Sequence, residues 1–253
     1  MRKRSLIILG VVCALALSAL AMPAPASAQE TSHYTFVSFW AVPRAQWSDF
    51  EKADADTNAI LGKLVADGTL EAFGSSAILV HTEDGYTHIS WFTSQSQAGI
   101  LKTLDALKTS SRTPQLAATT KHRDFMQHTI GHGGKTVNTT SGYIRVSIWQ
   151  AKPGRSEDVE NFFKKYIQPD LDAGVADGSV LSYNFDTEQV HTDAPGGYFL
   201  AVSYANGEGL DRSAAMLAKH AKEDPAVGEG FGSMLESKEH RDLLGRILAF
   251  QHK

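Results

Sequence analysis

The words Val65-Ala66-Asp67-Gly68 and Val80-His81-Thr82 return later in the chain as Val175-Ala176-Asp177-Gly178 and Val190-His191-Thr192. Both recur at one offset, 110 (175 − 65 and 190 − 80). Tyr34-x-x-Val37-Ser38-x-Trp40 returns as Tyr143-x-x-Val146-Ser147-x-Trp149 at 109 (143 − 34), and His122-Arg123-Asp124 returns as His240-Arg241-Asp242 at 118 (240 − 122). The growing offset places small insertions in the later loops of the second copy. A period of this length is that of a small domain rather than of a solenoid repeat, so the chain is expected to build one unit twice.

Ahead of the repeats, Arg2, Lys3 and Arg4 precede an apolar run from Leu6 to Met22 and then Ala26-Ser27-Ala28. This is the charged, apolar and small-residue order of a secretory signal peptide, with cleavage expected before Gln29. The single cysteine, Cys13, falls inside that run, so the remaining chain must be held by apolar burial without disulfides. The whole chain carries 24 basic and 28 acidic residues; without residues 1–28, which hold three basic residues and no acidic one, the balance is 21 (24 − 3) against 28, a net charge of −7. Nucleic acid and anionic membrane surfaces select basic patches and are therefore not expected partners. The expected location is secreted or periplasmic, with no membrane association after cleavage.

Aromatic and β-branched residues from Tyr34 to Val42 predict a strand, ended by Pro43. A helix follows, with Ser48-x-x-Glu51 as a capping box, apolar residues at spacings of three and four, and Gly68 as its stop. Strands are predicted over Leu70 to Thr82 and Tyr86 to Thr93 around a Glu83-Asp84-Gly85 turn, and helices over Gln95 to Lys108 and Thr113 to Met126. The second copy repeats this order from Tyr143, with Pro169 breaking or kinking its first helix and a last strand within Leu243 to His252. The division is thus a signal peptide (1–28), a first unit (29–130), a Gly-, Ser- and Thr-rich linker (131–142) and a second unit (143–253).

The order β-α-β-β-α-β is that of an α+β, ferredoxin-like unit with helices on one face of an antiparallel sheet. Two such units in tandem resemble the dimeric α/β-barrel superfamily, in which paired ferredoxin-like sheets form a pseudo-dimeric α/β barrel. That superfamily holds cofactor-independent monooxygenases, haem proteins similar to chlorite dismutases and dye peroxidases, and proteins of no known activity, so the fold does not choose a function. The reading here is an extracytoplasmic protein that binds a small molecule inside the barrel. The alternatives are an enzyme like the cofactor-independent monooxygenases, acting on an aromatic substrate, and a structural module with a filled barrel.

Strand alternation selects the site residues. Val37, Phe39 and Ala41, with Ile144, Val146 and Ile148, form an apolar face expected to lie under helices. The mixed face of Tyr34, Ser38 and Trp40, with Tyr143, Arg145, Ser147 and Trp149, is expected to line the barrel and bind ligand together with His88. His88 is also the one candidate for a catalytic role. At matched positions Arg145 replaces Phe36 and Leu200 replaces His88; an inward Arg145 needs a carboxylate such as Glu188 or Asp186, or the carboxylate or enolate of an aromatic acid. His81 and His191 end strands, and the His-Arg-Asp triplets are read as Arg-Asp pairs fixing helix exits. His128 and His132 have a metal-pair spacing but sit among glycines, and His220 is the nearest candidate for a haem axial ligand. Neither metal nor cofactor is expected.

Overall fold

The structure, a computed structural model, describes residues 32–80, 83–108, 116–191 and 195–253. The expected signal peptide, His81 and Thr82 lie outside the described residues. Ser32–Lys253 forms one compact unit.

Its first half runs β1 (His33–Ala41), α1 (Trp47–Ala66), β2 (Ala72–Val80), β3 (His88–Ser94), α2 (Gln97–Lys108) and β4 (Lys121–Gly134). The second half, after a short β5 (Val137–Thr139), runs β6 (Tyr143–Gln150), α3 (Ser156–Phe162), α4 (Gln168–Asp177), β7 (Ser182–Glu188), β8 (Gly197–Tyr204), α5 (Gly207–Glu223), α6 (Pro225–Met234) and β9 (Arg241–His252). The strands hydrogen-bond in the order β2-β3-β1-β4-β7-β8-β6-β9, and β9 returns to pair with β2. Every pairing is antiparallel. An eight-stranded sheet is thereby closed into a barrel, which removes the unpaired edges an open sheet would leave. Each half contributes four consecutive strands, in the orders β2-β3-β1-β4 and β7-β8-β6-β9.

The repeated Val-Ala-Asp-Gly word makes the same turn twice. Gly68 and Gly178 take the left-handed conformation, with φ of 81° and 85°, at the ends of α1 and α4. One residue earlier, the Asp67 and Asp177 carboxylates accept the backbone N–H of Thr69 (2.9 Å) and Ser179 (2.7 Å). Bonds from the Thr69 and Ser179 hydroxyls, together with these N–H bonds, hold both carboxyls below their ordinary range. The word therefore stops a helix and aims the chain into the next strand.

The expected faces are reversed. Phe39, Ile89, Phe125, Ile144, Val146, Phe199, Leu243 and Ile247 pack together as the barrel interior. Phe36 packs outward with Leu61, Leu64 and Ile100 of α1 and α2. Phe185 and Val202 pack outward with Phe163 and Leu171. Both faces of a closed, helix-covered barrel are buried, so the wholly apolar face can fill the inside while large aromatic side chains meet the helices.

Three further segments differ from expectation. Lys121–Met126 is strand, not helix, because β4 carries the seam to β7; residues 109–115 of that predicted helix lie outside the described residues. The expected linker is largely strand, since β4 runs through Gly134 and β5 pairs with β9. No capping box forms at Ser48: α1 begins at Trp47, entered from a 3-10 turn over Arg44–Gln46. At Pro169 the expected break is present as a π turn over Phe163–Ile167 between α3 and α4, where α1 is one uninterrupted helix of 20 residues. Proline lacks the N–H that an α-helix would use, and the wider turn absorbs the loss.

Candidate functional site

The repeated motifs meet across β1–β4 and β6–β9. Ser38 Oγ donates to Asp124 Oδ1 at 2.5 Å, and Ser147 Oγ donates to Asp242 Oδ1 at 2.5 Å. The Trp40 ring stacks on His122, centroids 4.0 Å apart, as Trp149 stacks on His240 at 5.4 Å. His122 Nε2 lies 2.9 Å and His240 Nε2 3.4 Å from the neighbouring aspartate. Alternation turns each triplet's His and Asp outward and its Arg to the barrel mouth, so no Arg-Asp pair forms within a triplet, and both triplets open strands rather than ending helices. Arg241 instead donates to Asp84 at 2.8 Å, and the Arg123 guanidinium lies 4.5 Å from the Phe125 ring.

The halves then diverge. Under Trp40 the space between sheet and helix holds Phe50, 5.6 Å away, and His88, which packs against Phe50 at 4.7 Å and Trp47 at 5.1 Å. His88 is 1% exposed, Thr87 Oγ1 lies 2.9 Å from its Nδ1, and burial pulls its pKa down to about 4, leaving a neutral imidazole. Under Trp149 lies a cavity of about 250 Å³. Its floor is the outer sheet face, with Ser147, Phe185, Leu200 and Val202; Phe163 and Ile167 of the π turn form one wall and Leu217 and Ala221 of α5 another. Val227 and Phe231 of α6 close it, the Phe231 ring lying 5.2 Å from Trp149 and 5.0 Å from Phe162. An apolar cavity of ~150 Å³ holds a benzene ring, so this one admits a larger ring system.

Of the predicted site residues, Arg145, Ser147 and Trp149 line this cavity. Tyr34, Ser38, Trp40 and His88 lie on the outer face of the first half. Strands β1 and β6 stand four places apart in the eight-stranded order, so the two sets cannot enclose one ligand. Tyr143, on β6 with Arg145, does not line the cavity, and none of the eight lines the barrel interior except Trp149, which borders its mouth. Arg145 is directed outward, 44% exposed, and donates to Asp242 at 2.7 Å. Its partner is thus neither Glu188 nor Asp186, and no anion is required to neutralise it. Burial pushes the Asp242 carboxyl up, but the bonds from Arg145 and Ser147 outweigh it and hold the group below its ordinary range.

No histidine lines this cavity. His220, on α5 beside it, pairs its Nδ1 with Asp170 Oδ2 at 2.9 Å. This cavity therefore offers no histidine as a haem axial ligand. His128 and His132 stand on opposite faces of β4, because a bulge between Thr129 and Gly131 shifts the alternation, and so cannot share a metal ion. His191 is exposed. Among the described residues no three His, Cys, Asp or Glu side chains converge as a metal site, and no helix is long and apolar enough to cross a membrane.

One feature of the cavity, its α6 lid, escaped sequence reasoning. The α6 lid reads as charged surface, and only the Asp224-Pro225 pair, where Asp224 caps the helix by accepting the Ala226 N–H, signalled its start. The π turn was signalled by Pro169.

No family model matches the chain, and no curated protein matches it in sequence. Solved structures do match in shape. A "putative monooxygenase" from Lactobacillus acidophilus NCFM superposes with a TM-score of 0.69 at 14% identity, over 88% of this chain and 97% of that one. A protein of the same description from Fusobacterium nucleatum gives 0.68 at 12%, over 88% and 95%. An anthrone oxidase-like protein gives 0.54 at 10%, over 88% and 94%. At such identities the likeness is one of fold alone: the chain is a mixed α+β protein with a closed eight-stranded antiparallel barrel, similar in shape to the dimeric α/β-barrel proteins.

Proposed function

We propose that this protein binds a small, ring-containing molecule in the cavity between the outer sheet face and the helices of its second half. The observation that carries the reading is the contrast under the two matched tryptophans: Phe50 and His88 occupy the space in one half, while about 250 Å³ lies open in the other. The walls are aromatic and aliphatic, and the polar groups gather at one end, where Arg145 and Ser147 sit. Apolar walls bury the rings and the polar end sets their orientation. A carboxylate or enolate on the ligand would meet Arg145, in competition with Asp242.

The site is thereby moved from the barrel interior to the helix side. The same reading takes the two halves to be ferredoxin-like units that arose by duplication, supported by their shared element order and repeated words. It also takes residues 1–28 as a cleaved signal peptide, so that the ligand is met outside the cytoplasm. A mature terminus at Gln29, measured by mass spectrometry of exported protein, tests the last point; an intact Met1 contradicts it.

Binding is tested by screening aromatic acids and their neutral analogues for thermal stabilisation of the native chain and of Ala221→Phe, which fills the cavity. Stabilisation of the native chain that Ala221→Phe abolishes supports the reading. Equal stabilisation of both overturns it.

A second reading, a cofactor-independent monooxygenase acting on an aromatic substrate, draws on one local observation. His240 stacks on Trp149, which lines the cavity, and lies 3.4 Å from Asp242; a substrate reaching past Trp149 would meet it as a base that an acidic neighbour orients. The printed descriptions of the three structural neighbours belong to the same chemistry. Oxygen uptake with a bound phenolic substrate, lost in His240→Ala, would favour this reading over binding alone; binding without uptake favours the first.

A further inference from the structure

The barrel interior is apolar along the β9–β2 seam and polar along the β4–β7 seam. At positions matched by the offset of 110, the first half places Ala72, Gly74, Ser76 and Ile78 where the second places Ser182, Asn184, Asp186 and Glu188. Trp91, which lies so close over Gly74 that a Cβ there would come within 2.3 Å of its ring, is matched in register, at 110 (201 − 91), by Ala201. Replacing a tryptophan over a glycine by an alanine beside an asparagine leaves a cavity of about 50 Å³. Its lining includes Thr35, Gln127, Asn184, Asp186 and Ser203.

Two polar atoms there have no partner: Asp186 Oδ1 and Gln127 Nε2, on side chains 2% and 1% exposed. They are neighbours on the seam, since Asp186 pairs with Thr129 and Gln127 with Glu188, and both side chains face inward. A buried polar group without a partner is unfavourable enough that folded proteins seldom keep one. Here an acceptor and a donor are left open in the same chamber. Phe39 and Phe199 border both this chamber and a second one at the barrel mouth, of about 130 Å³, so an aromatic floor runs beneath the pair.

We propose that the barrel interior holds a second ligand site, on the β4–β7 seam, for the hydroxyl of a small neutral phenol. A hydroxyl donates one hydrogen bond and accepts others, so a single oxygen satisfies both open atoms. An ammonium group cannot accept from Gln127. A carboxylate cannot donate to Asp186 and would repel it. Burial raises the Asp186 pKa to about 7 against the hydroxyls of Thr129 and Thr35, and a hydroxyl can face either protonation state. The mouth adds little selection by charge, because Arg123 and Arg241 stand among Asp84, Glu188 and Glu239. The inner chamber takes the hydroxyl, and the ring lies over Phe39 and Phe199 and reaches into the larger chamber at the mouth, since about 50 Å³ alone is below the ~150 Å³ that holds benzene.

The test is a fluorine NMR titration of the full chain with 4-fluorophenol, with fluorobenzene as the ligand lacking the hydroxyl. Saturable 4-fluorophenol binding is expected, weakened about tenfold or more in fluorobenzene, in Asp186→Leu and in Gln127→Leu, since each lacks one buried hydrogen bond. The titrations are run in the Ala221→Phe background, whose filled helix-side cavity removes the first proposed site, so either site can fail alone. Should Asp186→Leu not fold, Gln127→Leu carries the comparison. Absence of saturable binding at millimolar 4-fluorophenol, as when ordered water alone satisfies the pair, overturns the proposal. So does binding in that background that survives both leucine substitutions.

Discussion

Replacing Asp186 by asparagine should stabilise the protein at neutral and alkaline pH. The carboxyl is 2% exposed, and burial raises its pKa from 3.8 to about 7, partly opposed by the Thr129 and Thr35 hydroxyls. A group whose folded pKa lies above its unfolded value favours the fold most below the unfolded value, here pH 3.8. That contribution is lost as pH rises toward 7 and stays lost above it. A shift of about 3 units at 1.36 kcal/mol each sets a ceiling of about 4 kcal/mol, which water entering the chamber lowers. At pH 5 only about 1.2 units of the interval have been crossed, so the penalty is roughly 1.6 kcal/mol. Urea unfolding of the native chain and of Asp186→Asn, followed by tryptophan fluorescence, should therefore show the variant's relative stability rising by roughly 2 to 3 kcal/mol between pH 5 and pH 8. A difference between the two proteins that is the same at both pH values would refute the reasoning.

Other outcomes follow from the same structure. His88 should remain neutral down to about pH 4 in a histidine NMR titration, because burial between Phe50 and Trp47 opposes its charge; a midpoint near 6.5 contradicts this. Gly74→Ala forces a Cβ to within 2.3 Å of the Trp91 ring and should destabilise by about 1 to 3 kcal/mol in the same urea assay, whereas a neutral effect would mean that the ring is not seated there. Gly68→Ala and Gly178→Ala each place a side chain at positive φ with nothing but flexible atoms nearby, and each should lower stability by about 1 kcal/mol. Clearly unequal losses would show that the two turns are not equivalent.

The matched turns and the first strand of each half were legible in the repeat. Matched words fix matched turns, and Tyr34 to Trp40 and Tyr143 to Trp149 fall on β1 and β6 as expected. The faces of those strands were not legible, because a barrel wrapped by helices buries both and alternation then tells only that two faces exist. Lys121 to Met126 hid as a helix because its outward residues, His122, Asp124 and Met126, carry little strand preference; its inward partners Arg123, Phe125 and Gln127 keep the period of two. Arg145 was singled out correctly as a break in symmetry, but its answering charge, Asp242, lay within the His-Arg-Asp triplet and not on β7. Asp186 and Glu188 were named as possible partners for it, whereas the structure gives Asp186 an unpartnered oxygen inside the barrel. The cavity itself exists because a π turn and the α6 lid stand off from the sheet, and such spacing between elements leaves no pattern in the chain.

The central claim is that the second half's helix–sheet cavity is the ligand site. A crystal structure of the protein with the tightest-binding aromatic acid or neutral analogue from the screen tests it most directly. The account predicts density for the ligand rings between Trp149, Phe163 and Phe231, with the polar end beside Arg145 and Ser147. Rings seated only in the barrel interior or against the first-half helices, with the cavity under Trp149 closed, would contradict it.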